Sequence, residues 1–311
     1  MTELKIKILL EGAQFKAEAQ EVADATHEIE AIVDASFASI TGNIAAASFA
    51  YNQIVSAAQS VANAIREPLR IYTEFETATA SVASLGVENI EQLSAGVLDV
   101  ANQITVPIES LTGGLYEVVS AGVSASEQLG FLGVNARAAT AGVATVTEAV
   151  KLSSAFVKGF ALEWSQTDEV LDDAFQTVKL GQTTFAELQA SAGAVIPQFA
   201  ALKGETDELF GAFATLTGVT GNTAEVSTQL RGILTGLSKA TPELTAVIER
   251  YRGKSIEAVF ATEGLAGILE ILREETGGSA TRMNELFGSV EAVTGLLALT
   301  GSQYDTFIEK T

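Results

Sequence analysis

The sequence predicts an all-α protein, and three observations carry that prediction. Hydrophobic residues make up 47% of the chain while aromatic residues stay at 7%, so alanine, the strongest helix former, supplies much of the apolar fraction. Only 4 prolines occur in 311 residues, few for a chain of strands and loops. Helix-start signals recur: Ser124, Thr145 and Asn222 each stand three residues before a glutamate, at Glu127, Glu148 and Glu225. In that spacing the cap oxygen and the carboxylate satisfy N–H groups that the first helical turn leaves without partners.

From the N-terminus, Leu4, Ile6 and Ile8 alternate with Lys5 and Lys7, as in a short extended arm over residues 1–12. Residues 13–67 read as a long helical coiled-coil arm. Apolar residues fall at Ile44, Ala47, Tyr51, Ile54, Ala58, Val61 and Ile65, and upstream at Val22, Ile29, Val33 and Ile40, with a phase slip beside Gly42. A sustained 3.5-residue repeat makes a narrow seam for a partner helix. Ile44, Tyr51, Ile54, Val61 and Ile65 are the candidate self-association residues.

Within that arm, residues Ala35 to Ile65 carry no charge, and about 20 apolar residues suffice to cross a bilayer. Gly42, Asn43, Asn52, Gln53, Gln59 and Asn63 interrupt the run, which favours a buried protein–protein helix. The alternative is an α-helical membrane-active, pore-forming protein that uses the uncharged 35–65 helix.

Residues 68–301 read as a core of short capped helices. Pro68 ends the long arm, and a helix through Phe75 and Val82 stops at Gly86. Helices are predicted from Glu88 to Gln103 and from Thr105-Val-Pro107 to Gly122. A pattern then occurs twice. Ser124–Leu129 opens a helix that ends at Gly142, and Thr145–Val150 opens the next; Gly204–Leu209 opens a helix that ends at Gly221, and Asn222–Val226 opens the next. The glycines are predicted to end helices with positive φ. Thr241-Pro242-Glu243 gives a cap with proline at its favoured first position, followed by helices over Pro242–Tyr251, Ser255–Glu275 and Ala280–Thr300. Residues 302–311, with Tyr304 and Phe307, read as the start of a further helix or a truncated end.

The net charge is −21, and no basic residue lies between Arg70 and Arg137 while eight acids do. Such a surface repels phosphate. It either keeps the chain soluble or lets DNA pass without tight binding. There is no cysteine, which excludes disulfides and thiol chemistry. The first residues, Met-Thr-Glu-Leu-Lys-Ile-Lys, do not form a signal peptide, because charge interrupts the apolar residues.

Neither catalytic, cofactor-binding nor metal-ligating residues are predicted. His27 is the sole histidine and lies among Asp24, Glu28 and Glu30, as on a solvated helix face; a His-based zinc site needs more ligands. Asp168, Glu169, Asp172 and Asp173 have the spacing of a cation site or a hydrolase acid pair. Acids crowding a first helical turn, where they complement the dipole, account for them better. Gly253-Lys254-Ser255 resembles the end of a phosphate loop, but position 248 is Ile where that motif needs glycine. Gly232 and Gly236 have the spacing that permits close helix packing.

Four segments in order carry a resemblance: Phe75-Glu-Thr-Ala-Thr-Ala-Ser-Val82, Leu115-Tyr-Glu-Val-Val-Ser-Ala-Gly122-Val-Ser-Ala-Ser126, Thr228-Gln-Leu-Arg-Gly-Ile-Leu234 and Leu286-Phe-Gly-Ser-Val-Glu-Ala-Val-Thr-Gly-Leu-Leu297. Together they resemble the core domain of tail tape measure proteins of tailed bacteriophages, over roughly Tyr72 to Thr300. That resemblance implies a non-enzymatic virion protein of the tail tube lumen, present in the host cytoplasm during assembly. It would set tail length and leave ahead of the DNA during genome ejection. It also implies a three-fold homo-oligomer, partners among the tail tube protein, assembly chaperones and tip or baseplate proteins, and contact with the host membrane on ejection. Fully helical, the chain would span only about 470 Å at roughly 1.5 Å per residue, short for such a role.

Overall fold

The computed structural model describes residues 70, 73–87, 89–104 and 106–311. The regular elements among them are helical, and the all-α class holds. The 1–12 arm, the 13–67 coiled-coil arm with Ile44, Tyr51, Ile54, Val61 and Ile65, the uncharged 35–65 run and His27 lie outside the described residues. Contacts divide the chain into two units, one ending at Ala95 and one from Gly96 to Thr311. In the first, residues 73–83 are helical and Gly86 follows with φ 85.

After that segment the helices run α1 (Ile90–Gln103), α2 (Ile108–Ser120), α3 (Gln128–Ala141), α4 (Val146–Gly159), a 3-10 turn (Trp164–Gln166), α5 (Thr167–Leu180), α6 (Phe185–Ala192) and α7 (Ile196–Ala201). Then come α8 (Thr206–Thr220), α9 (Thr223–Ser238), α10 (Pro242–Arg252), α11 (Ile256–Thr276), α12 (Ala280–Phe287), α13 (Val290–Thr300) and α14 (Tyr304–Lys310). The division between the units falls inside α1.

Two helices organise the second unit. Helix α4 packs against α2, α3, α5, α6 and α7; helix α8 packs against α5, α9, α11, α13 and α14. Every residue from Glu208 to Thr217 on α8 is buried. A helix apolar on all sides must be enclosed by others, and Leu209-Phe-Gly-Ala-Phe-Ala-Thr-Leu216 has that character. The two central helices meet through aromatic rings. Phe156 of α4 stacks on Phe210 of α8 with centroids 4.2 Å apart, and Phe160, Phe199 and Phe260 continue the string toward α11.

Several corners follow the local sequence. Thr145 and Glu148 form a reciprocal capping box, and Asn222, Thr241 and Ser255 accept hydrogen bonds from the N–H groups three residues on. Pro242 occupies the first turn of α10. Gly221 ends α8 at φ 62.

Four expectations are corrected. Ser124 does not cap α3: its Oγ bonds the Glu127 carboxylate, Glu127 is itself the cap residue, and the helix starts at Gln128. Gly142 ends α3 at φ −87, and the positive angle falls one residue later, at Val143 (φ 52). Gly142 is required for space, since a Cβ there would lie 2.6 Å from Phe185 Cε2. The predicted 280–300 helix is two, because Gly288 turns the chain at φ 66 and Ser289 caps α13. The helix predicted from Thr105-Val-Pro107 begins only at Ile108, with Pro107 as its cap residue.

The spacing of Gly232 and Gly236 does produce close packing. Cβ atoms there would lie 3.0 Å from the Ala292 backbone nitrogen and 2.5 Å from Phe287 Cδ1. Helix α9 therefore lies directly against α12 and α13.

Candidate functional site

The acids singled out in the sequence sit on α5. Asp168 and Glu169 occupy its first turn, where carboxylates complement the helix dipole. Asp172 is exposed and Asp173 half-buried. Among the described residues no group of three or more His, Asp or Glu side chains is placed to hold a metal ion. Gly253, Lys254 and Ser255 form a helix corner, with Gly253 at φ 64 ending α10 and Ser255 capping α11.

Asp173 is the one member with an unusual environment. Burial, followed by the nearby charges of Asp207, Asp172 and Glu169, pushes its carboxyl up to about 6. A carboxyl raised in the folded state binds its proton more tightly there than in the unfolded chain. Its charge opposes folding above about pH 6, and that opposition is relieved as pH falls through 6 toward the ordinary 3.8. Asp173→Asn should therefore raise stability by about 1 kcal/mol near pH 7.5, a value discounted for the side chain's partial exposure. Melting curves should show a gain of roughly 2–4 °C at that pH and none near pH 4. An equal gain at both pH values would refute the electrostatic origin.

The second concentration of ionisable groups surrounds the start of α8. A cavity of about 290 Å³ opens there, lined by Lys203, Glu205, Asp207, Glu208, Glu263 and Gly264, among others. Glu208 is 8% exposed, and its Oε1 accepts a 2.7 Å hydrogen bond from the Ala266 N–H of α11. Burial raises its carboxyl above the usual range, while backbone hydrogen bonds from Leu265 and Ala266 oppose the rise. Sequence reasoning missed this contact because the partners lie 58 positions apart.

Elsewhere the charges hold corners together. Arg282 of α12 bonds Glu243, Glu275 and Glu285, and Arg252 at the end of α10 bonds Glu263 and Glu270. Lys310 Nζ donates to the carbonyls of Leu180 and Ala214, 3.1 and 3.2 Å away, joining α14 to the end of α5. No helix among the described residues is long and apolar enough to cross a membrane.

The described residues thus form an all-α packing of short helices, with Arg252 and Arg282 tying helix corners together. Residues 94–288, more than half of the chain, match the family described as phage-related minor tail protein. The chain belongs to that family, and the resemblance carried by the four segments holds. The chain is also 27% identical over 248 residues to the "Probable tape measure protein" of Clostridium phage phiCD119. That alignment covers 75% of this chain and 26% of the relative, so the chain spans about a quarter of that protein's length. No solved structure matches the chain.

Proposed function

We propose that this chain acts as a tail tape measure, a structural rather than catalytic component that occupies the tube lumen, sets tail length during assembly and leaves ahead of the DNA. The observation that carries the reading is the extended likeness to a relative named as a probable tape measure protein, running through most of this chain. Acidity supports the DNA part of the role. The interval from Ile71 to Ala136 offers eight carboxylates and no cation, a surface that repels a passing duplex. The long arm of residues 13–67 supplies a measuring element and a seam for a three-fold homo-oligomer. Its partners are the tail tube protein, the assembly chaperones and the tip or baseplate, with host membrane contact on ejection.

The test is tail length. Removing four heptads from the 13–67 arm, about 28 residues at roughly 1.5 Å each, should shorten assembled tails by about 42 Å. Electron microscopy of purified virions measures this directly. Tails of unchanged length would refute the measuring role.

A further inference from the structure

Helix α11 is broken once, at Gly264, whose φ of 66 and ψ of −164 lie outside the helical range. Only glycine adopts that region without strain. Nothing local demands the break. Residues on both sides are helical, and Ile256, Val259 and Phe260 before it and Leu265, Ile268 and Leu269 after it are all buried. Glycine within a helix costs only about 1 kcal/mol relative to alanine, so this stretch could also run straight.

A side chain of another helix meets the bend. Breaking α11 frees N–H groups at the start of its second half, as at any helix N-terminus. Glu208 of α8 meets them: its carboxylate accepts from Ala266, with Leu265 contributing a second backbone hydrogen bond. The contact is close enough that a Cβ on Gly264 would lie 2.4 Å from Glu208 Oε1 and 2.6 Å from Oε2. The carboxylate thus acts as a helix cap supplied from a distant part of the chain, and it fills the space that only glycine leaves.

The surroundings make this cap a costly one. Asp207 and Glu205 raise the Glu208 carboxyl further beyond the effect of burial, and Glu263 of α11 lines the same cavity. Lys203 is the cation on the wall; Arg252 is engaged with Glu263 and Glu270, and Lys310 with backbone carbonyls. Burial and the neighbouring acids disfavour the charged form of Glu208, while its oxygens hold the bend. The cavity of about 290 Å³ lies beside it.

We propose that α11 is a two-state helix in which Gly264 is the hinge and Glu208 the latch, the bent form giving way to one continuous helix when the latch is withdrawn. The inference stands on α8 and α11 alone and does not depend on the tape measure reading. Straightened, the Ile256–Thr276 segment would be a rod of about 32 Å at roughly 1.5 Å per residue. A partner that removed α8 from its side would convert a folded corner into an extended element.

The experiment uses the full chain, which has no native cysteine. Glu257→Cys and Glu274→Cys, both at exposed positions, carry spin labels on either half of α11, and pulsed dipolar spectroscopy reads their separation. The unlatched chain, Glu208→Ala, should gain a population at about 25 Å, the span of a straight helix over these positions. That population should rise at least ten-fold over the native chain, the scale of losing a hydrogen bond to a charged group. Glu208→Gln keeps an acceptor and loses the charge, so it should hold the bent distance alone. Gly264→Ala, which can neither take the glycine angle nor clear the carboxylate, should move to the straight distance, as should Gly264→Ala combined with Glu208→Ala. Identical distributions for Glu208→Ala and Glu208→Gln would overturn the latch. A bent distance persisting in the double variant would overturn the hinge. Loss of far-UV helicity in Glu208→Ala would show a structural keystone instead of a two-state element, and would overturn the proposal too.

Discussion

Replacing Phe156 by alanine should destabilise the protein by about 4 kcal/mol, the scale for removing a fully enclosed aromatic ring. Phe156 is 0% exposed and lies between Phe160 at 5.9 Å and Phe210 at 4.2 Å, nearly parallel to both. Truncation leaves a cavity where α4 meets α8, and neither helix can close it freely, because each is held by other neighbours. Stacking between the rings adds about 1 kcal/mol beyond the area buried. With a urea slope near 3 kcal/mol per M, the unfolding midpoint should fall by about 1.3 M at unchanged slope. Phe156→Leu, which retains most of the volume, should lose less than half as much. A midpoint shift for alanine within about 0.3 M would mean that this contact does not hold the two helices together.

How far the fold was legible depended on the range of the interaction. Thr145, Asn222, Thr241 and Ser255 cap helices through N–H groups three residues away, and such contacts are written in the local sequence. Ser124 misleads because its serine and glutamate have the right spacing but bond each other, leaving the helix to begin after them. The break at Gly288 was hidden by apolar residues that continue on both sides at helical spacing. Gly264 is the same problem in stronger form, since the carboxylate that stabilises its angle is contributed by α8. The acids of α5 show a mixed case. Helix position explains Asp168 and Glu169, whereas the raised carboxyl of Asp173 depends on burial and on Asp207, brought near by the packing of α8 on α5. The self-association residues Ile44, Tyr51, Ile54, Val61 and Ile65 rest on heptad spacing alone.

The contact between α9 and α13 yields the second large effect. Two glycines let these helices approach: Gly232 faces the backbone of Ala292, and Gly295 faces Gln229 and Ile233. A Cβ at Gly232 would stand 3.0 Å from a backbone nitrogen and 3.4 Å from a Cα, atoms that no side-chain rotation can move aside. Gly232→Leu must therefore push α13 away from α9, exposing Ile233, Leu296 and Leu299, all now at 0% exposure. Overpacking of this kind costs typically 1–3 kcal/mol; about 3 kcal/mol is expected here because the obstacle is backbone. Gly130 in α3 provides the control: a Cβ there meets nothing within 4 Å, so Gly130→Ala should stabilise by about 0.5 kcal/mol through helix propensity. Denaturation curves of the two variants should move in opposite directions from the native chain. If Gly232→Leu unfolds at the native midpoint, α9 and α13 are free to separate without cost, and the glycine pair is not what sets their spacing.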